Sequence, residues 1–195
     1  MIILGIDPSL TSTGIARVDT EDRLVAQTWT ITSKGTHADT LAQRRERLAM
    51  IAERRIGDAA IGIGEDGSDL GGRADLAIIE GLAMAHHNAG TTMLNGLWWL
   101  TVHRLYNLGV PVVAVAPKSL KKYATGAGNA PKEAMVAAAI RRLPHVDTGD
   151  QPDRVDALWL AAMGADHLGA PLVDLPATHR AALDGVQWPT RSGAA

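Results

Sequence analysis

A chain of 195 residues with 46% hydrophobic and 21% charged residues has the composition of a folded protein about one domain long. Its 19 Lys+Arg against 21 Asp+Glu give a formal net charge of −2, which excludes a uniformly basic nucleic-acid binder but not a local basic patch. With no Cys, disulfides, thiolate metal sites and a thiol nucleophile are excluded together.

Met1–Ile6 is a short apolar run closed by Asp7-Pro8 and predicts a buried strand. Thr13–Val18 and Leu24–Ile31 are two further β-type runs, joined by polar residues, and the three together predict an antiparallel meander. His37–Ile56 carries Leu41, Leu48, Ile51 and Ala52 at helical spacing, with Asp39 or Thr40 as cap. Gly57–Asp75 holds six Gly, four Asp and one Glu against a single Arg, and reads as an acidic insertion loop or mobile lid. Leu76–Glu80 is a compact strand ending in an acid. Met84–Leu108 predicts one long helix, Val110–Val115 a strand and Pro117–Tyr123 a short helix. A glycine turn at Gly126–Asn129 leads into Pro131–Leu143, a helix with Pro in its first turn. Pro152–Leu168 is the last strongly periodic helix. Gly169–Ala195 contains three Pro, shows little periodicity and reads as a surface or partly disordered tail.

A meander followed by alternating strands and helices predicts an α/β fold, a mixed sheet with helices on both faces. No apolar stretch approaches the ~20 residues of a membrane span. The N-terminus lacks a basic region and a cleavage site, so a soluble, cytoplasmic protein without a membrane partner is expected.

Four carboxylates stand in unusual places. Asp7 and Glu80 end apolar strands, where a carboxylate is costly unless it is paired, protonated or bound to a cation. Either acid alone could simply reach solvent; two at the ends of neighbouring strands favour function. Asp153 and Asp156 lie three apart at the start of the last helix and share a face. An ordinary first-turn acidic cluster is the alternative. An all-carboxylate set favours Mg²⁺ or Mn²⁺, and two such ions ~3.5–4 Å apart can clamp the attacking and leaving oxygens of a phosphoryl displacement. Between Pro117 and Arg142, Lys118, Lys121, Lys122, Lys132, Arg141 and Arg142 face only Glu133, a local excess suited to phosphate beside a turn rich in backbone N–H.

Gly5-Ile6-Asp7-Pro8, Ile79-Glu80, the run Ala124–Lys132 around Thr125-Gly126-Ala127-Gly128, and Asp153-Arg154-Val155-Asp156 occur in this order over residues 1–167. Together they resemble the signature of RuvC-type Holliday-junction resolvases of the ribonuclease H-like superfamily. The resemblance implies a five-stranded mixed sheet of order 3-2-1-4-5 and a nuclease domain over residues 1–168, with 57–75 as an insertion and 169–195 as a tail. It implies that Asp7, Glu80, Asp153 and Asp156 bind two Mg²⁺ ions, and that hydrolysis leaves 5′-phosphate and 3′-hydroxyl ends. Lys132 would support the transition state or the attacking water, and Lys121 would lie near the DNA backbone. It further implies a homodimer acting on four-way junctions, with the long helix carrying dimer and junction contacts.

Two departures stand out. Ser9 replaces the glycine that usually follows Asp-Pro, while Thr11 and Ser12 can still donate to phosphate. Ala83 occupies the position of the family's junction-wedging aromatic, leaving Met84, His86 or His87 as substitutes and strict four-way selectivity open. Adjacent side chains on a helix diverge by about 100°, so His86 and His87 suit DNA contact better than joint chelation. Trp98 and Trp99 suit core and dimer-interface positions. Two other readings stay open: an ATPase or phosphotransferase of the same fold core, and a non-catalytic junction-binding module.

Overall fold

The computed structural model describes residues 1–21, 26–82, 89–149 and 151–189. Five strands form one sheet of order β3-β2-β1-β4-β5: β1 Ile2–Asp7, β2 Ser12–Asp19, β3 Ala26–Thr32, β4 Leu76–Glu80 and β5 Val112–Val115. The meander pairs antiparallel, with Asp7 opposite Gly14 at its open end. β4 and β5 add parallel to β1, as expected for strands that return through helices. The predicted order and mixed pairing are both present.

Side-chain alternation divides β1 between two cores. Ile3 joins the cluster on one face, while Leu4 and Ile6 join the other. In β4, Leu76 and Ile78 take the first face, and Ala77 and Ile79 the second. The second face is covered by α1 (Leu41–Ala49), the π-helical turn Met50–Ile56, α2 (Gly57–Ile61) and α3 (Ala89–Asn107). The first is covered by α4 (Pro117–Thr125), α5 (Lys132–Arg142) and α6 (Pro152–His167). α6 is buried from Val155 to Asp166, which explains why it is apolar on every side.

Two boundaries differ from the sequence-based expectation. The helical run begins at a capping box, Thr40 with Gln43, and continues through Gly57 to Ile61, so the first turn of the expected loop is helix. Ala59 and Ala60 are buried there, and Gly62 ends the run at φ +88°. The remaining loop, with an Ile63–Asp69 bridge, is pinned by Arg17, whose guanidinium donates to the carbonyls of Ala59, Gly71 and Gly72. After His167 the chain forms a further short helix, α7 (Ala177–Arg180), and Leu175, His179 and Ala182 are buried. No helix among the described residues is long and apolar enough to cross a membrane.

Candidate active site

Strand alternation aims the two strand-end acids. Asp7 follows Ile3 and Gly5 on the α6 face of β1, and Glu80 follows Leu76 and Ile78 on the same face of β4. The parallel register Ile6–Ile79 puts Asp7 and Glu80 side by side. Ser12 opens β2 on that face too, since Ala16 and Val18 pack there.

α6 supplies the other two acids, and two glycines let it approach. A Cβ on Gly14 would overlap the Asp153 carbonyl, and one on Gly5 would overlap the Ala157 carbonyl. The helix backbone therefore rests directly on β1 and β2, with Asp153 and Asp156 over the strand ends. The Ser12 hydroxyl donates to the Asp153 carboxylate. Lys132 opens α5 after the glycine turn. Its Nζ lies 4.0 Å from Asp153 Oδ1 and 3.8 Å from Asp156 Oδ2, with the lysine itself exposed to solvent.

The electrostatics show how closely the acids are crowded. Burial holds the Asp7 carboxyl well above the usual carboxylate range, a hydrogen bond with Glu80 adds to it, and the charges of Glu80, Asp156 and Asp153 act in the same direction. Asp156 is pushed up to about 6, first by burial and then by Glu80 and Asp153, against the opposing pull of Lys132 and Lys121. Such a cluster is stable only with protons, ammonium groups or a bound cation among the carboxylates. Among the described residues no three acids or histidines stand in ready-made ligand geometry. A shared hydrogen bond and Lys132 instead satisfy them. The donor set, all carboxylate, suits a hard divalent cation, and the buried, proton-retaining Asp7 is the residue such a charge would relieve.

The site brings together Asp7, Glu80, Asp153, Asp156, Lys132 and Ser12. Ser12, expected as a phosphate donor, is committed to a carboxylate; the alternation of β2 carries that signal in the sequence. Thr11 is exposed beside it. Ser9 ties the loop, its N–H donating to Thr13 Oγ1 at 3.1 Å and its carbonyl accepting from the same hydroxyl at 2.7 Å. Lys118, Lys121 and Lys122 all lie on α4; Lys118 is exposed and the other two are half-buried. Ala83, Met84, His86 and His87 lie outside the described residues. Trp98 is half-buried and donates to the Glu80 carbonyl at 2.8 Å, so it braces the end of β4. Trp99 is 63% exposed on α3.

No family model matches the chain. The crossover junction endodeoxyribonuclease RuvC of Halorhodospira halophila is 30% identical over 175 residues, which cover 87% of this chain and 93% of that protein. Its counterpart from Delftia acidovorans is 29% identical over 172 residues, covering 88% and 87%. Among solved structures, Thermus thermophilus RuvC superposes with a TM-score of 0.64 at 20% identity over 87% of this chain and 98% of its own. T. thermophilus RuvC in complex with Holliday junction substrate gives 0.63 at 20% identity, over 87% and 97%. At 30% identity over 87% of this chain and 93% of its Halorhodospira relative, the chain belongs to the RuvC family of crossover junction endodeoxyribonucleases.

Proposed function

We propose that this chain is a structure-selective DNA endonuclease that resolves Holliday junctions or related branched DNA, acting as a homodimer. The observation that supports this best is the convergence of two strand-end acids, two helix-start acids and one lysine at a single end of the sheet.

Nucleases of this family are metal-dependent. Asp7, Glu80, Asp153 and Asp156 would hold the metal here, as two Mg²⁺ ions for which Mn²⁺ can substitute. When bound, such ions supply Lewis-acid charge and an activated water for phosphodiester hydrolysis. The chain's own groups do the rest. Ser12 fixes the Asp153 carboxylate, and the Gly5 and Gly14 contacts fix the depth of α6. Lys132 brings a positive charge to the rim of the acids, where it stabilises charge developing on the phosphoryl oxygens. Lys118, Lys121 and Lys122, with Thr11 and the amides of the Gly126–Asn129 turn, provide phosphate contacts along a DNA arm. The exposed rings of Trp99 and Tyr106 on α3 supply an apolar surface for the second copy.

The test is cleavage of labelled four-way, three-way, flap and linear duplex substrates by purified protein with and without Mg²⁺. Cutting of the four-way junction only with the metal, abolished in Asp7→Asn, is expected. Equal cutting of linear duplex, or full activity in Asp7→Asn, would overturn the proposal.

A further inference from the structure

Lys132 reaches the acids from the far side of a glycine turn, and that turn is held by a segment distant in sequence. α4 ends at Gly126, in the left-handed region at φ +87°. The last carbonyls of a helix lack partners within it. Here the Lys121 carbonyl accepts from Thr125 Oγ1 at 2.7 Å and the Lys122 carbonyl from the Gly126 N–H at 2.8 Å. The next carbonyl, of Tyr123, faces His179 Nδ1 at 2.8 Å. A carbonyl only accepts, so Nδ1 carries the proton. The other edge of the buried imidazole lies against Gly126, where an added Cβ would come within 2.9 Å of Nε2.

His179 is held in place by its neighbour. Arg180 donates to Asp166 through Nε at 3.0 Å and a second nitrogen at 2.5 Å, and the Asp166 side chain is wholly buried in α6. The same carboxylate accepts from the Tyr123 hydroxyl at 3.1 Å. Tyr123 is thus gripped at its ring by α6 and at its carbonyl by α7. From there the path to Lys132 is short. Thr125 Oγ1 accepts from the Ala127 N–H at 3.2 Å, the Ala127 carbonyl accepts from the Ala130 N–H at 3.2 Å, and Pro131 is the N-cap of α5.

We infer that His179, clamped by Arg180 and Asp166, is a positioning residue that caps α4 and thereby sets the turn that delivers Lys132 to Asp153 and Asp156. The inference rests on the nuclease reading for its catalytic consequence and on geometry alone for its structural one. Deleting the imidazole frees the Tyr123 carbonyl and opens space beside Gly126. Lys132 then loses its fixed approach, while the acids on β1, β4 and α6 keep theirs.

The experiment uses the full chain with His179→Ala, His179→Asn, Lys132→Ala and the His179→Ala/Lys132→Ala double variant. Amide exchange is followed at residues 126–130. Cleavage of a four-way junction is measured in single turnover, and junction binding is measured in Ca²⁺. His179→Ala should exchange faster at 126–130 than elsewhere. With the junction saturated by protein it should cleave about 10- to 100-fold more slowly, the cost of a displaced catalytic group, and its binding should weaken by no more than loss of the turn's own phosphate contacts. Asparagine, whose side-chain N–H can meet the same carbonyl, should restore most of the rate. The double variant should be no slower than Lys132→Ala alone, because both changes remove one interaction. Exchange at 126–130 unchanged in His179→Ala overturns the inference whatever happens to DNA. A loss that adds in full to that of Lys132→Ala overturns it as well. A parent protein that cuts no branched substrate defeats the nuclease reading and leaves the exchange result to decide the positioning role.

Discussion

Replacing Asp156 with asparagine should stabilise the metal-free protein while ending cleavage. Its carboxyl is pushed from 3.8 to about 6, chiefly by burial. At about 1.4 kcal/mol per pH unit, keeping it charged in the fold costs about 3 kcal/mol. The sign follows from the native group's tighter hold on its proton. The penalty is fully present above about pH 6. It fades as the pH falls through that value and is gone below the ordinary carboxylate range near ~4. Asparagine keeps the shape without the charge. At pH 8 the variant should therefore melt about 6–12 °C higher than the parent without metal, at about 2–4 °C per kcal/mol for a chain this long. At pH 4 the two should melt together. Mg²⁺ should raise the melting temperature of the parent more than that of the variant. Thermal unfolding at the two pH values, with and without Mg²⁺, reads all of this. An asparagine variant less stable than the parent at pH 8, or a gain that persists unchanged at pH 4, would refute the reasoning.

Two further predictions concern the surroundings of the site. Gly14→Ala pushes a methyl group into the Asp153 backbone, and should cost about 1–3 kcal/mol in urea unfolding; cleavage under conditions where the variant is still folded should fall more than stability does, and parental cleavage would show that the depth of α6 is not what sets the acids. Replacing Lys118, Lys121 and Lys122 together by alanine should make the dependence of log K on log salt shallower by about 0.9 for each phosphate no longer neutralised, measured by junction binding in Ca²⁺; an unchanged slope would place the DNA elsewhere.

The strands and the facing of the two strand-end acids were legible because each follows from a short-range rule, whereas the strand order and the grouping of all four acids came only with the family resemblance. Period-two alternation puts Ile3, Gly5 and Asp7 on one face and Leu76, Ile78 and Glu80 on the matching one, so a reader who trusts the strands can place the acids. The depth at which α6 lies on the sheet was not legible, since Gly5 and Gly14 look like ordinary strand glycines until the Asp153 and Ala157 carbonyls are seen above them. The helix through Gly57–Ile61 was hidden by composition: glycine and aspartate read as loop, although Ala59 and Ala60 are core residues. The packing of residues 169–189 had one signal. Asp166 follows the apolar run Ala157–Ala165 of α6, and a buried carboxylate calls for a partner; Arg180 is that partner, and no local pattern points to it.

The origin of the acids in the chain has a kinetic meaning. Asp7, Glu80 and the pair Asp153 and Asp156 come from three widely separated stretches, and the last pair reaches the others only when α6 lands on a finished β1–β2 hairpin. Contacts of such long sequence separation form late and slowly. A growing chain that has not yet added its α6 residues, or a molecule whose α6 has detached, lacks Asp153 and Asp156 at the strand ends and so half of the proposed metal-holding set. The complete set of carboxylates proposed to hold the metal therefore exists only in the finished fold, and its assembly is tied to the docking of α6.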